Sequence, residues 1–172
     1  YIYFSGHGVP TPDGKQAYLL PFDGNPNYAS NSAYDLEQLY KNLGAIKAKS
    51  ITLFLDSCFS GANRDNEIIL ADARPVFLSA APKLTEAHLA VFSAASGAQI
   101  SSAWADKQHG LFSYFLMKGL KGEADANHDN KVTQSELNDY ISSQVSSQAR
   151  RMGREQEPGL QSGDATRVMV QW

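Results

Sequence analysis

A chain of 172 residues, 42% hydrophobic and 19% charged, has the make-up of one soluble globular domain with a single substantial core. Its formal net charge of −3 gives no electrostatic ground for binding nucleic acid or an anionic membrane surface, and no apolar stretch approaches the roughly 20 residues of a spanning helix. The single cysteine, Cys58, excludes an internal disulfide, a usage compatible with the reducing cytoplasm but not diagnostic of it.

The first strand-like run, Tyr1 to Phe4, stands at the very start with nothing before it to pair or protect it. A buried strand needs neighbours on both sides, so sequence upstream is expected, and any leader peptide with it. Pro10 to Asn31 is rich in Pro, Gly, Asn and Asp and reads as a long loop with turns. Asp35 to Leu43 follows as an amphipathic helix: Leu36, Leu39, Tyr40 and Leu43 recur at helical spacing, and Gly44 offers a stop. Ile51 to Leu55 is the next strand, completing a strand–helix–strand unit of the kind that joins parallel strands. In Asn63 to Thr85, Pro75 and Pro82 argue against long regular elements. A strand at His88 to Phe92 comes next, then Gly110 to Gly119, apolar nearly all round, as a helix packed on a sheet. A last helix begins at Thr133, carries the stripe Leu137, Tyr140, Ile141 and Val145, and runs toward Arg150 and Arg151. Arg167 to Trp172 is the final strand.

Two strand ends carry the chemistry. His7 lies three residues past Phe4 in Ser5-Gly6-His7-Gly8, and Cys58 three residues past Leu55 in Asp56-Ser57-Cys58-Phe59-Ser60-Gly61. If both strands run parallel, imidazole and thiol emerge together at the carboxyl edge, where open α/β sheets place their sites. Singly, each residue has an ordinary explanation, as a histidine at a strand end or a cysteine used as a small hydrophobe. Jointly they are the two parts of a cysteine nucleophile.

With these motifs 51 residues apart, the chain resembles the caspase-like cysteine peptidases, closest to the metacaspases and their bacterial relatives. Caspases carry a histidine about 50 residues upstream of the cysteine, and this chain matches that known family spacing. Phe92 to Ala103 is similar to the family's next strand and substrate-binding loop, and His109 to Leu116 to its following helix. The resemblance implies an α/β three-layer sandwich with a largely parallel central sheet of six main strands, about four of them present. It also implies peptide-bond hydrolysis by Cys58 and His7, on a protein or peptide substrate, with the backbone N–H groups of Gly8 and Cys58 as oxyanion donors. No third residue is identifiable as an orienter of His7.

For specificity, the resemblance points to cleavage after Arg or Lys. The caspase nucleophile segment Gln-Ala-Cys-[Arg/Gln/Gly]-Gly is absent; Asp56 matches an acidic pocket position of metacaspases, and Ser5 a neighbouring one. Phe59 stands where metacaspases commonly have histidine, and Gly97 and Ala98 where they often have acidic residues. The rivals are an Asp-specific peptidase on the same machinery, an inactive caspase-like interaction module, and a calcium-responsive binding domain.

The chemistry itself requires no cofactor; calcium is the one candidate ion. Asp125, Asn127, Asp129, Thr133 and Glu136 put oxygen side chains at positions 1, 3, 5, 9 and 12 of an EF-hand-like loop at 125–136, with the Lys131 carbonyl at position 7. Asn130 takes the usual glycine place, and Asn enters the left-handed region more readily than most residues. Thr133 and Glu136 equally spell a capping box, and the entering segment Leu120-Lys-Gly-Glu-Ala is not a clear helix, so both readings stand. Finally, Arg64, Arg74 and Lys83 make the connection after the nucleophile a candidate for self-cleavage.

Overall fold

The apolar runs Ile51–Asp56 and Leu89–Ser93 become buried central strands, whereas the first run, read as a buried strand, forms one that is largely exposed. The computed structural model describes residues 1–11, 13–60, 87–96 and 99–172. The candidate self-cleavage connection, and Gly97 and Ala98, lie outside the described residues. In chain order the elements are β1 (Ile2–Ser5), β2 (His7–Pro10), β3 (Ala17–Leu20), a single turn α1 (Ala29–Ser32), β4 (Tyr34–Asp35), α2 (Leu36–Gly44) and β5 (Ile51–Asp56). These are followed by β6 (Leu89–Ser93), β7 (Ala103–Trp104), β8 (His109–Gly110), α3 (Leu111–Lys118), β9 (Lys131–Thr133), α4 (Gln134–Arg151), β10 (Gly159–Ser162) and β11 (Val168–Gln171).

The main sheet has the order β1-β5-β6-β10, with the first three strands parallel and β10 antiparallel to β6. Because successive side chains of a strand face opposite ways, this sheet feeds two cores. On one face Leu53, Leu55, Leu89 and Val91 pack with Leu36, Tyr40 and Leu43 of α2. On the other, Phe54 and Phe92 pack with Leu111, Phe112 and Leu116 of α3 and with Leu137, Ile141 and Val145 of α4. Helix, sheet, helix: this is the three-layer α/β sandwich.

Helix starts follow their caps. Asp35 accepts the Gln38 N–H at 2.7 Å and opens α2. Thr133 and Glu136 form a reciprocal capping box at the start of α4. The expected glycine stop of α2 is not used: Gly44 is its last helical residue, and Ala45 follows in a right-handed conformation at φ −76°.

Three expectations are corrected. The stretch read as loop contains β3, whose buried Ala17, Tyr18 and Leu19 pair with β2 as a hairpin; turn-forming neighbours hide so short a strand. Arg167 to Trp172 does form a strand, but it pairs with β9 in a separate two-stranded sheet and not in the main one. Its place beside β6 is held by β10, a half-buried strand with one large apolar residue, Leu160, and so no hydrophobic period to read. Third, α3 runs on toward the acidic loop through a π-helical turn at Gly119–Glu123, which Gly122 breaks at φ 112°, so the entering segment is helical only in part.

Candidate active site

The register of β1 on β5 pairs Phe4 with Leu55 and Ser5 with Asp56. Beyond these strand ends the two backbones stay joined: the Gly6 N–H donates to the Asp56 carbonyl at 3.3 Å, and the Gly8 N–H to the Cys58 carbonyl at 3.2 Å. The histidine and cysteine motifs therefore run side by side at the carboxyl edge of the sheet. His7 is exposed and opens β2, which turns away to pair with β3. Cys58 is only 2% exposed. Gly8 must be glycine here, since a Cβ would strike the Phe59 ring and stand 2.6 Å from the Cys58 carbonyl oxygen. The hydroxyls of Ser57 and Ser60, either side of Cys58, are buried and have no hydrogen-bond partner among the described residues.

Asp56, the last residue of β5, is 0% exposed. The Ser101 hydroxyl donates to its Oδ1 at 2.6 Å, and the Ser113 hydroxyl, from α3, donates to its Oδ2. A hydroxyl has one proton, so the 2.7 Å contact between Tyr3 and Ser113 is a bond donated by the tyrosine. Gly110 lies against the same carboxylate, where any Cβ would collide with Oδ2. Ser5 is exposed at the end of β1 beside this group. Sequence reasoning missed Tyr3, Ser101, Gly110 and Ser113. One signal was available: Ser113 is the lone polar residue among the buried positions of α3.

The model of the caspase domain matches residues 1–170. The chain belongs to the caspase domain family. This is a domain of the cysteine-peptidase type. A protein from Geobacter sulfurreducens with a known crystal structure is similar in fold, with a TM-score of 0.53 and 22% identity. The match covers 92% of this chain and 63% of that one, so this chain spans less than two-thirds of its solved relative. No curated protein matches the chain.

Elsewhere in this caspase domain, two apolar cavities of about 530 and 510 Å3 flank β1. Neither is lined by His7 or Cys58; the larger one reaches Ser113 and Tyr3 and so touches the hydroxyls around Asp56. The acidic loop is folded on its own hydrogen bonds. Asp125 accepts the N–H groups of Asp129 and Asn130 at 3.2 and 3.0 Å, Asn127 that of Asp129 at 2.9 Å, and Asp129 that of Lys131 at 2.9 Å. Asn130 takes the left-handed conformation at φ 63°. Glu136 Oε2 accepts the Thr133 N–H at 2.9 Å, as a capping box requires. Among the described residues no three His, Cys, Asp or Glu side chains are grouped to hold a metal ion.

Proposed function

We propose that this domain is a cysteine endopeptidase in which Cys58 is the nucleophile and His7 its acid–base partner, cutting after Arg or Lys. The reading is carried by one observation: the hydrogen bonds from Gly6 to Asp56 and from Gly8 to Cys58 hold the two motifs on adjacent strand ends of the same edge. In the reaction, Cys58 passes its thiol proton to His7, the resulting thiolate bonds to the scissile carbonyl carbon, and His7 gives that proton to the amine as the C–N bond breaks. Water, deprotonated by His7, then attacks the thioester and releases the acid and the Cys58 thiolate. The N–H groups of Cys58 and Gly8 would bind the oxyanion. The Gly8 N–H is held by the Cys58 carbonyl, so that hydrogen bond must be exchanged for the substrate oxygen, which requires the peptide after Cys58 to turn.

The preference for Arg or Lys rests on Asp56. Its carboxylate sits two residues before the nucleophile, and the hydroxyls of Ser101 and Ser113 donate to it. Because both donors are neutral, an arriving guanidinium or ammonium can replace them with charge-assisted bonds. The test uses peptides that differ only in the residue before the cut. Arg and Lys peptides should exceed the Asp peptide in kcat/KM by at least about a hundredfold, and Asp56→Asn should remove most of that margin. Equal cleavage after Asp and Arg would refute the basic pocket.

A further inference from the structure

The connection that leaves β6 is tied from a distant part of the chain. Gln156 lies 54 positions beyond Ser102 and is 1% exposed. Its Oε1 accepts the Ser102 N–H at 2.8 Å, and its Nε2 donates to the Ala94 carbonyl at 2.8 Å. Ala94 directly follows β6 and Ser102 directly precedes β7, so one side-chain amide joins the two ends of the connection between them. The neighbouring Glu157 N–H donates to Gln99 Oε1 at 2.7 Å. Gln156 is held in turn from α4, where the Ser146 hydroxyl donates to its carbonyl at 3.0 Å.

Only a group that is donor at one end and acceptor at the other completes both bonds. A glutamate would face the Ala94 carbonyl with a second acceptor, and a methionine would satisfy neither partner. What the clamp fixes is next to the site. Ser101 adjoins Ser102, and its hydroxyl donates to Asp56, two residues before Cys58. The Ser102 carbonyl accepts the Leu111 N–H at 2.8 Å, one residue past Gly110, which lies against that same carboxylate.

We propose that Gln156 is a positioning residue: by joining Ala94 to Ser102 it holds Ser101 against Asp56, and so sets the pocket for the substrate residue before the cut. This rests on the peptidase reading above. The prediction is a split between binding and chemistry. In the intact protein, Gln156→Met should raise KM for the best peptide roughly tenfold, the size of a lost buried hydrogen bond. Both kcat and the rate at which iodoacetamide alkylates Cys58 should change by less than about twofold. Gln156→Glu should show the same defect at neutral pH and recover toward wild type as the pH falls toward about 5, because a protonated carboxyl regains the donor that the amide supplied.

A folded Gln156→Met protein with wild-type KM would overturn the proposal, as would a loss of kcat and alkylation at unchanged KM. Should that variant fail to fold, the Gln156→Glu profile decides, and no recovery at low pH relative to wild type would refute it. Wild-type protein without turnover, or Cys58→Ala with it, would instead remove the peptidase reading and this inference together.

Discussion

Gly8 and Gly110 mark where the backbone must come closest to the site. At Gly8 a side chain would press into Phe59 and the Cys58 carbonyl; at Gly110, into the Asp56 carboxylate. Overpacking of this kind costs about 1–3 kcal/mol, because neither a buried ring nor a strand-end carbonyl can move aside freely. Gly8→Ala should therefore lower the unfolding free energy by that amount, measured by denaturant unfolding, and impair turnover. The hydroxyls around Asp56 make a graded prediction. Ser113→Ala leaves a buried carboxylate oxygen without that donor and should cost about 1–3 kcal/mol, whereas Tyr3→Phe leaves the Ser113 bond intact and should cost less. Urea unfolding of the two variants checks the order, and a larger loss for Tyr3→Phe would contradict the network. At this scale the sequence displayed His7 and Cys58, since strand ends followed by small residues are visible in a linear pattern. It did not display Ser101, Ser113 or Gln156, whose partners lie 45, 57 and 54 or more positions away. Nothing local in those residues announces such contacts.

Among elements, α4 is the clearest case of local rules and tertiary packing agreeing. Its capping box, its stripe of Leu137, Ile141 and Val145, and Arg150 and Arg151 in its last turn all follow from spacing alone. Without calcium, Glu136→Ala should lose about 0.5–2 kcal/mol, since the carboxylate closes the cap. The calcium proposal for the loop makes a separate demand. Calcium in the millimolar range should raise Tm in the wild type and leave Asp125→Ala unshifted. Calorimetry without a binding heat would leave the loop as a cap and turn. The helices and the all-apolar strands were legible because their periods are strong. β3 and β10 were not, because four residues with one or two large side chains give no period, and pairing with a neighbour decides them. The same argument explains Val168–Gln171. Its apolar run is a genuine strand, but only the register on β9 reveals which sheet it joins.

For the molecule as a whole, the parallel arrangement of β1, β5 and β6 does two jobs. It splits the alternating side chains of β5 and β6 between two helical layers, and it delivers Asp56, Cys58 and His7 to one edge. Stability and site therefore draw on the same strands, and they separate by distance along them. Leu137→Ala, deep in the layer formed by α3 and α4, should cost about 2–5 kcal/mol. It should leave the residue preference of any surviving activity unchanged, which a peptide panel assayed well below Tm will show. A parallel strand–helix–strand unit and its edge could be read from two apolar runs and the helix between them, while the three-layer sandwich was implied by the family resemblance. The surroundings of Asp56 could not be read, because they are assembled from β1, β5, the connection before β7, and α3. The account turns on Cys58 as nucleophile, so the deciding measurement is the turnover of a peptide substrate by the purified intact protein carrying Cys58→Ala, with its folding verified. The account predicts a fall of at least about a thousandfold with Tm nearly unchanged; turnover near the wild-type rate would contradict it.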